Sequence, residues 1–208
     1  MKNKVIFQMT LSAVIIAIIA VMSYVPYVGY INYGVVSIST IHIIVLVVAL
    51  LFGWKQGLVA GLAFGCFSLF IALTRPASSI DFAFVNPLIS VFPRAVFGFV
   101  AGLLFGLVKK IPSISLRSVC IVASSFVLTI FHTAFVLLML WAFKSTLAFG
   151  DNFMNVLYVI ISLNVLIEMT AAGVFVPLVA WPLSRAFPQY NPYQIKYKEN
   201  EINKELGE

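Results

Sequence analysis

Charged residues are scarce in this 208-residue sequence. Asp, Glu, Lys and Arg make up only 10% of the chain, whereas hydrophobic residues make up 62% and the mean hydropathy is +1.08. A soluble domain has about 25% charged and about 45–50% apolar residues. The composition therefore excludes an ordinary soluble protein, a disordered chain and a nucleic-acid-binding domain, and it indicates a polytopic membrane protein.

Residues and motifs that carry catalysis or bind metals are also rare. The chain has two histidines and two cysteines, and Cys66 and Cys120 both lie within apolar runs. It lacks a GxxxxGK[ST] phosphate-binding loop, an HExxH zinc motif and a CxxC pair. We therefore expect no disulfide framework, no metal, no cofactor in this chain and no enzymatic activity.

Six apolar runs dominate what is present. A spanning segment must satisfy its own backbone hydrogen bonds, and the runs lack the alternation of barrel strands, so we predict an all-α fold with six transmembrane helices. The runs are Val5–Val25, Thr40–Phe52, Leu58–Leu73, Leu88–Val108, Ser118–Phe143 and Val156–Phe187. The second is short for a full span. Residues 1–187 then form one membrane domain, and residues 188–208 form a polar tail.

The distribution of basic residues predicts the topology. If both termini are cytoplasmic, ten of the thirteen Lys and Arg residues lie inside, and only Arg75, Arg94 and Lys144 lie outside. This is a strong positive-inside bias. We therefore expect a multi-pass protein of the cell membrane with both termini cytoplasmic and with the first, third and fifth loops outside.

Small residues recur at every fourth position in three of the runs. They are Gly57, Gly61 and Gly65 in the third, Gly98, Gly102 and Gly106 in the fourth, and Ala13 and Ala17 in the first. This spacing lets two helix backbones approach closely. The glycines predict packing of the third helix on the fourth. The alanines are compatible with internal packing or with a docking surface for a partner in the membrane.

Four polar residues within the runs are candidates for a binding site. Arg94, His132, Asn164 and Glu168 all lie between the predicted outer surface and the midplane, and intramembrane ionisable residues are functional candidates by default. Their common depth predicts a pocket that opens to the outside.

Each candidate also has a purely structural interpretation. Arg94 either pairs with Glu168 or is free to bind a ligand carboxylate with both arms of its guanidinium. His132 and Asn164 either hydrogen-bond within the bundle or contact a ligand. Tyr30 and Tyr33 of the first outer loop form either an aromatic belt or a cover over a small organic ligand. His42, near the outer end of the second run, is interpreted as interfacial.

Several segments together resemble the S component, the substrate-binding subunit, of an energy-coupling factor (ECF) vitamin transporter. They are Ala13-x-x-x-Ala17, Thr40–Ile44, Leu51–Gly57, Gly61-x-x-x-Gly65 and Asn86–Arg94 with Gly98-x-x-x-Gly102. The resemblance covers the chain from the first run to the end of the sixth. It implies six helices and an outward-facing pocket that the first and third outer loops cap and spans four to six line.

The resemblance also implies partners and a mechanism. A transmembrane scaffold (T) subunit would dock on Ala13 and Ala17, two cytosolic ATPase (A) subunits would hydrolyse ATP, and the loaded subunit would topple in the bilayer. Around Pro93 and Arg94 the sequence most resembles the pantothenate-type members.

In a pantothenate site, Arg94 would hold the carboxylate, and His132, Asn164 and Asn86 would serve the hydroxyls and the amide. Glu168 would orient Arg94 or accept a hydroxyl. Folate-type and pyridoxine-type substrates stay open, as does a stand-alone proton-coupled carrier with Glu168 and His132 as its relay. A membrane enzyme acting on lipid has little support.

Overall fold

The computed structural model describes residues 2–25, 27–33, 36–76, 81–143 and 164–193. These residues confirm the all-α class, with one small β-hairpin in addition. The elements are α1 (Lys2–Tyr24), β1 (Tyr30–Tyr33), β2 (Val36–Ser39), α2 (Ile41–Phe52), α3 (Trp54–Thr74), α4 (Pro87–Val108), α5 (Ile114–Ala142) and α6 (Val165–Ala186), with 3-10 turns at Asp81–Val85 and Pro188–Tyr190.

Five of the described helices, all except α2, are long and apolar enough to cross a membrane. Helix α2 has 12 residues and is therefore about 18 Å long, whereas the hydrocarbon core is about 30 Å thick. The described residues therefore show five helices of spanning length, and the predicted count of six spans stays a prediction. Ten of the residues of α2 are buried, because α2 packs against α3, α4 and α6. Residues 156–163, the predicted start of the last span, lie outside the described residues.

Helices α3 and α4 pack backbone against backbone along their glycines. A Cβ atom at Gly57 would meet the carbonyl oxygen of Gly98, one at Gly61 would meet that of Arg94, and one at Gly65 would lie 2.6 Å from the Cα atom of Val91. The predicted packing of these two helices is confirmed. Gly106 takes no part in it, because nothing lies within 4 Å of a Cβ atom built there.

Helix α1 lies at the edge of the bundle. Only 11% of its most apolar window is buried, and its buried residues Ile15, Ile19 and Ser23 are spaced four apart. It packs mainly on α3, where the Ser12 hydroxyl donates to the side-chain oxygen of Gln56 at 2.9 Å. Most of the surface of α1 is therefore left uncovered by the described residues.

The first outer loop contains regular structure that the sequence analysis did not predict. Strands β1 and β2 pair antiparallel, with Tyr30 opposite Ser39 and Ile31 opposite Ile38. The hairpin is joined to the start of α2, where the Thr40 amide donates to the Gly29 carbonyl oxygen at 3.0 Å. We call the end of the bundle that carries these strands the hairpin end.

Helix α5 begins at Ile114, four residues before its predicted start. The Ser113 hydroxyl accepts a hydrogen bond from the Leu116 amide and so caps the first turn. Arg117, assigned to the preceding linker by sequence, is therefore inside the helix, where it is buried and donates to the Pro192 carbonyl oxygen at 2.8 Å.

The start of the predicted tail packs against the bundle at the end opposite the hairpin. Tyr190 stacks on Phe7 of α1 with the ring centroids 6.0 Å apart, and it also contacts the ring of Phe52 at the end of α2. Residues 194–208 lie outside the described residues.

Candidate functional site

Polar side chains from four helices and the hairpin converge at the hairpin end. We define the polar cluster as Tyr30 of β1, His42 of α2, Arg94 of α4, His132 of α5 and Glu168 of α6. The four helical members are each at most 6% exposed, and the hydroxyl oxygen of Tyr30 is buried. Most buried polar atoms in proteins have a hydrogen-bond partner. Atoms of this cluster that have no partner within the protein are therefore the ones that a ligand could satisfy.

Arg94 is held by its own helix and by two aromatic rings. Its Nη1 donates to the Ile89 carbonyl oxygen at 2.7 Å, and its Cζ lies 4.6 Å from the ring centroid of Phe84 and 5.6 Å from that of Phe64. Its Nε has no hydrogen-bond partner among the described residues, and within them no ion pair joins Arg94 to Glu168. The guanidinium is therefore fixed in position, and its Nε–H donor is available to a ligand.

The two histidines of the chain lie together beside this guanidinium. Their rings are nearly parallel, at 15°, with centroids 6.2 Å apart, and the His132 ring also contacts Phe97 at 4.6 Å and Phe64 at 5.8 Å. Neither ring nitrogen of His132 has a partner in the described part of the chain, and nor does Nε2 of His42. The stack thus presents three unsatisfied ring nitrogens between apolar walls.

Glu168 connects the cluster to the hairpin. Its Oε1 accepts a hydrogen bond from the Ser39 amide at 2.9 Å, and its Oε2 accepts one from the Thr133 hydroxyl at 3.4 Å. The carbonyl oxygen of the same Ser39 accepts from Nδ1 of His42. One residue of β2 is therefore held from two sides, by α6 and by α2.

Tyr30 brings a neutral hydroxyl to the cluster from the hairpin. Burial raises the pKa of its phenol, and the positive charge of Arg94 acts in the opposite direction without overcoming the effect of burial. Ser68 of α3 also lowers this pKa, although no hydrogen bond of normal geometry to the hydroxyl is found among the described residues. At neutral pH it is protonated and available as a donor or an acceptor.

The remaining predicted site residues lie in different settings. Asn164 is buried one turn before Glu168. Asn86 is the N-cap of α4, where its side-chain oxygen accepts from the Leu88 amide at 3.0 Å. Tyr33 ends β1 opposite Val36, and its side chain lies outside what the structure describes. The structure thus brings Arg94, His132, Glu168 and Tyr30 together and uses Asn86 for capping.

The interpretation of His42 as an interfacial residue is wrong. It is 1% exposed, because α2 is enclosed on all sides and His42 is the second residue of that helix. Phe64, Phe84 and Phe97 were also not singled out by sequence. The signal that could have placed His42 inside is its own polarity, since an ionisable residue within an apolar run of a membrane protein usually faces the interior of the bundle.

The arrangement suits a small ligand more than a metal ion. Within the described residues, no three His, Cys, Asp or Glu side chains come together in a way that could hold a metal ion. One cation, two imidazoles and a phenol with unsatisfied buried atoms can bind an anionic group and its neighbouring hydroxyl or amide groups.

Comparison with known families assigns the chain to one of them. A family model described as ECF transporter, substrate-specific component, matches residues 7–180. The chain belongs to this family. None of the curated proteins searched matches its sequence.

Membership establishes the general role of the molecule. ECF S components are integral membrane proteins that bind the substrate of a transporter and are not themselves enzymes. The family implies a vitamin or another small molecule as substrate and T and A subunits as partners. Four members of the polar cluster have buried atoms without a hydrogen-bond partner in the described structure, and such atoms suit a small polar substrate; they are Tyr30, His42, Arg94 and His132.

Proposed function

We propose that the polar cluster is the substrate site and that this S component captures pantothenate from outside the cell for ATP-driven import. The observation that carries the proposal is Arg94, which is buried with an Nε donor that lacks a partner among the described residues. The scaffold and the two ATPases would come from separate subunits, and the hairpin end would face outward, as the positive-inside distribution predicts.

A carboxylate is the group that best completes the environment of Arg94. A buried charge without a partner is costly, and a planar guanidinium binds a carboxylate through two parallel hydrogen bonds. The Nε atom and one Nη atom on the same edge can form such a pair even while Nη1 is bonded to Ile89. Phe64 and Phe84 beside the guanidinium would exclude water and strengthen the pair.

The rest of pantothenate matches the other unsatisfied groups. The molecule has one carboxylate, one amide and two hydroxyls joined by a short aliphatic chain. His132, His42 and Tyr30 offer donors and acceptors for the amide and hydroxyls. Asn164, buried one turn before Glu168 on α6, would add a further polar contact, and Phe97 offers an apolar surface for the aliphatic chain.

Two alternatives fit the described contacts less well. Folate would call for a second cation for its second carboxylate, but Arg75, the other arginine near this end, is exposed and donates to the Tyr24 carbonyl oxygen. A proton-coupled carrier would use Glu168 and His132 as a relay, but Glu168 bonds to Ser39 and Thr133. A pyridoxine-type ring is left as an outcome of the experiment.

Calorimetric titration of the purified protein tests the substrate. We expect tight binding of pantothenate and weak or no binding of folate, pyridoxine, thiamine precursors and riboflavin. Saturable binding of one of the others, with none of pantothenate, would replace the substrate and leave the family assignment intact. Uptake into proteoliposomes by this chain alone would contradict the role as an ECF subunit, which requires the T and A subunits and ATP.

A further inference from the structure

A groove outside the polar cluster lies between α1 and α3 at the hairpin end. It has a volume of about 330 Å³, and its walls include Ala20, Ser23, Val25, Phe67, Phe70 and Ile71. Val21 and Phe70 at its edges are 61% and 50% exposed, so it opens on the surface that faces the lipid. Its walls are almost entirely apolar.

One polar atom in this groove has no partner. Ser23 is 5% exposed, and its hydroxyl oxygen has no hydrogen-bond partner in the described structure. A serine in a helix often donates to the carbonyl oxygen four residues earlier, as Ser118 does to Ile114, but Ser23 does not. Its hydroxyl is thus available to a group that occupies the groove.

A cation lies at the mouth of the groove. The guanidinium of Arg75 sits 4.2 Å from the ring centroid of Tyr24 and donates to the Tyr24 carbonyl oxygen at 2.9 Å. Arg75 is exposed, and it forms no ion pair with a carboxylate of the described residues. The groove residues of α3 precede Arg75 by four to eight positions, which places them about 6–12 Å deeper along the helix.

We propose that this groove binds a phospholipid of the outer leaflet, with a preference for an anionic headgroup. The headgroup phosphate would pair with Arg75, the Ser23 hydroxyl would donate to an ester carbonyl, and one acyl chain would fill the apolar groove. The depth of the groove below Arg75 matches the distance between the headgroup region and the start of the hydrocarbon, which is about 5–8 Å. The lipid would thereby fill the gap between α3 and α1, a helix that has few contacts with the rest of the described bundle.

Photo-crosslinking locates such a lipid. The protein in nanodiscs is illuminated with phosphatidylglycerol that carries a diazirine on one acyl chain, and the adducts are mapped by peptide mass spectrometry. We expect adducts concentrated in residues 20–25 and 67–71. Substitution Ala20→Trp, which fills the groove, should remove them, while Leu178→Trp on the exposed surface of α6 should not. Adducts spread evenly over the exposed helices, or unchanged by Ala20→Trp, would overturn the proposal.

Native mass spectrometry tests the headgroup preference. Phosphatidylglycerol and phosphatidylcholine with identical chains are titrated against the wild type and Arg75→Gln. We expect the substitution to lower the preference for phosphatidylglycerol by about two- to fivefold, the size of an exposed ion pair. Arg185→Gln is the matched control, because Arg185 is also exposed and also stacks on an aromatic ring, that of Trp181. Equal effects of the two substitutions would remove the specific role of Arg75.

Discussion

Among single residues, His132 allows ligand binding to be separated from folding. Its ring packs against Phe97 and Phe64, while both ring nitrogens lack partners in the described structure. We predict that His132→Phe leaves the melting temperature unchanged or raises it, because the ring contacts are kept and two unsatisfied atoms are removed. Substrate affinity should fall about tenfold, the equivalent of one hydrogen bond.

Calorimetry and thermal melting of the same samples check this prediction. Ser125→Ala in the same helix is the control, because the Ser125 hydroxyl is buried but satisfied by the Ile121 carbonyl oxygen, and its loss should not alter affinity. Unchanged affinity in His132→Phe would show that His132 only packs.

Individual polar residues could be found by sequence, but their partners could not. Arg94, His132 and Glu168 are conspicuous because ionisable residues are rare in apolar runs. Whether Glu168 meets Arg94 depends on helix rotation, which the sequence does not reveal. Its hydrogen bond instead goes to the amide of Ser39, 129 positions away in the chain.

At the scale of secondary-structure elements, a hydrogen bond from the Ser39 amide to the Glu168 carboxylate joins the hairpin to α6. We predict that Glu168→Ala speeds amide hydrogen exchange at Ser39 and across β1 and β2, because the Ser39 amide loses its acceptor. Exchange followed by mass spectrometry measures this. Thr133→Val removes only the longer contact, at 3.4 Å, and should have a smaller effect. Equal exchange in Glu168→Ala and wild type would show that the hairpin is held by other contacts.

Substitution by alanine should change stability in opposite directions at two of the regularly spaced glycines, one in α3 and one in α4. A Cβ atom at Gly61 would collide with the Arg94 backbone, whereas one at Gly106 has open space. We predict that Gly61→Ala lowers stability by about 1–3 kcal/mol, the usual range for overpacking, and that Gly106→Ala raises it by up to about 1 kcal/mol. Thermal melting in detergent tests both. A stable Gly61→Ala variant would contradict the close approach of α3 and α4.

The elements were largely predictable because each long apolar run must be helical in a bilayer. The glycine spacing also gave the pairing of α3 with α4. The β-hairpin was missed because its strands have four residues each and lie in a loop rich in Tyr and Gly. Helix α5 begins four residues before its predicted start because Ser113 caps its first turn, so that the basic Arg117 lies within the helix.

For the chain as a subunit of a transporter, the uncovered face of α1 is the feature that matters. Ala13 and Ala17 are both exposed, as a docking surface for the scaffold requires. We predict that Ala13→Trp with Ala17→Trp abolishes uptake by the reconstituted complex while the isolated subunit keeps its substrate affinity. Leu178→Trp, at an exposed site on α6, is the control and should support uptake. Normal uptake by the double variant would place the docking surface elsewhere.

The class and family of the molecule were accessible from sequence, whereas the substrate was not. Hydropathy and charge distribution are sums over many residues and tolerate local errors. Substrate identity depends on the positions of a few atoms in the polar cluster, such as Nε of Arg94 and the ring nitrogens of His132.

The pairing of Arg94 with a ligand carboxylate is tested most directly by changing both partners. Wild type and Arg94→Ala are each titrated with pantothenate and with its uncharged alcohol analogue. We predict that removing the guanidinium or the carboxylate weakens binding by at least about 1.5–3 kcal/mol, the value of a hydrogen bond to a charged group. Removing both should cost little more than removing one. Additive losses, or full affinity in Arg94→Ala, would contradict the account.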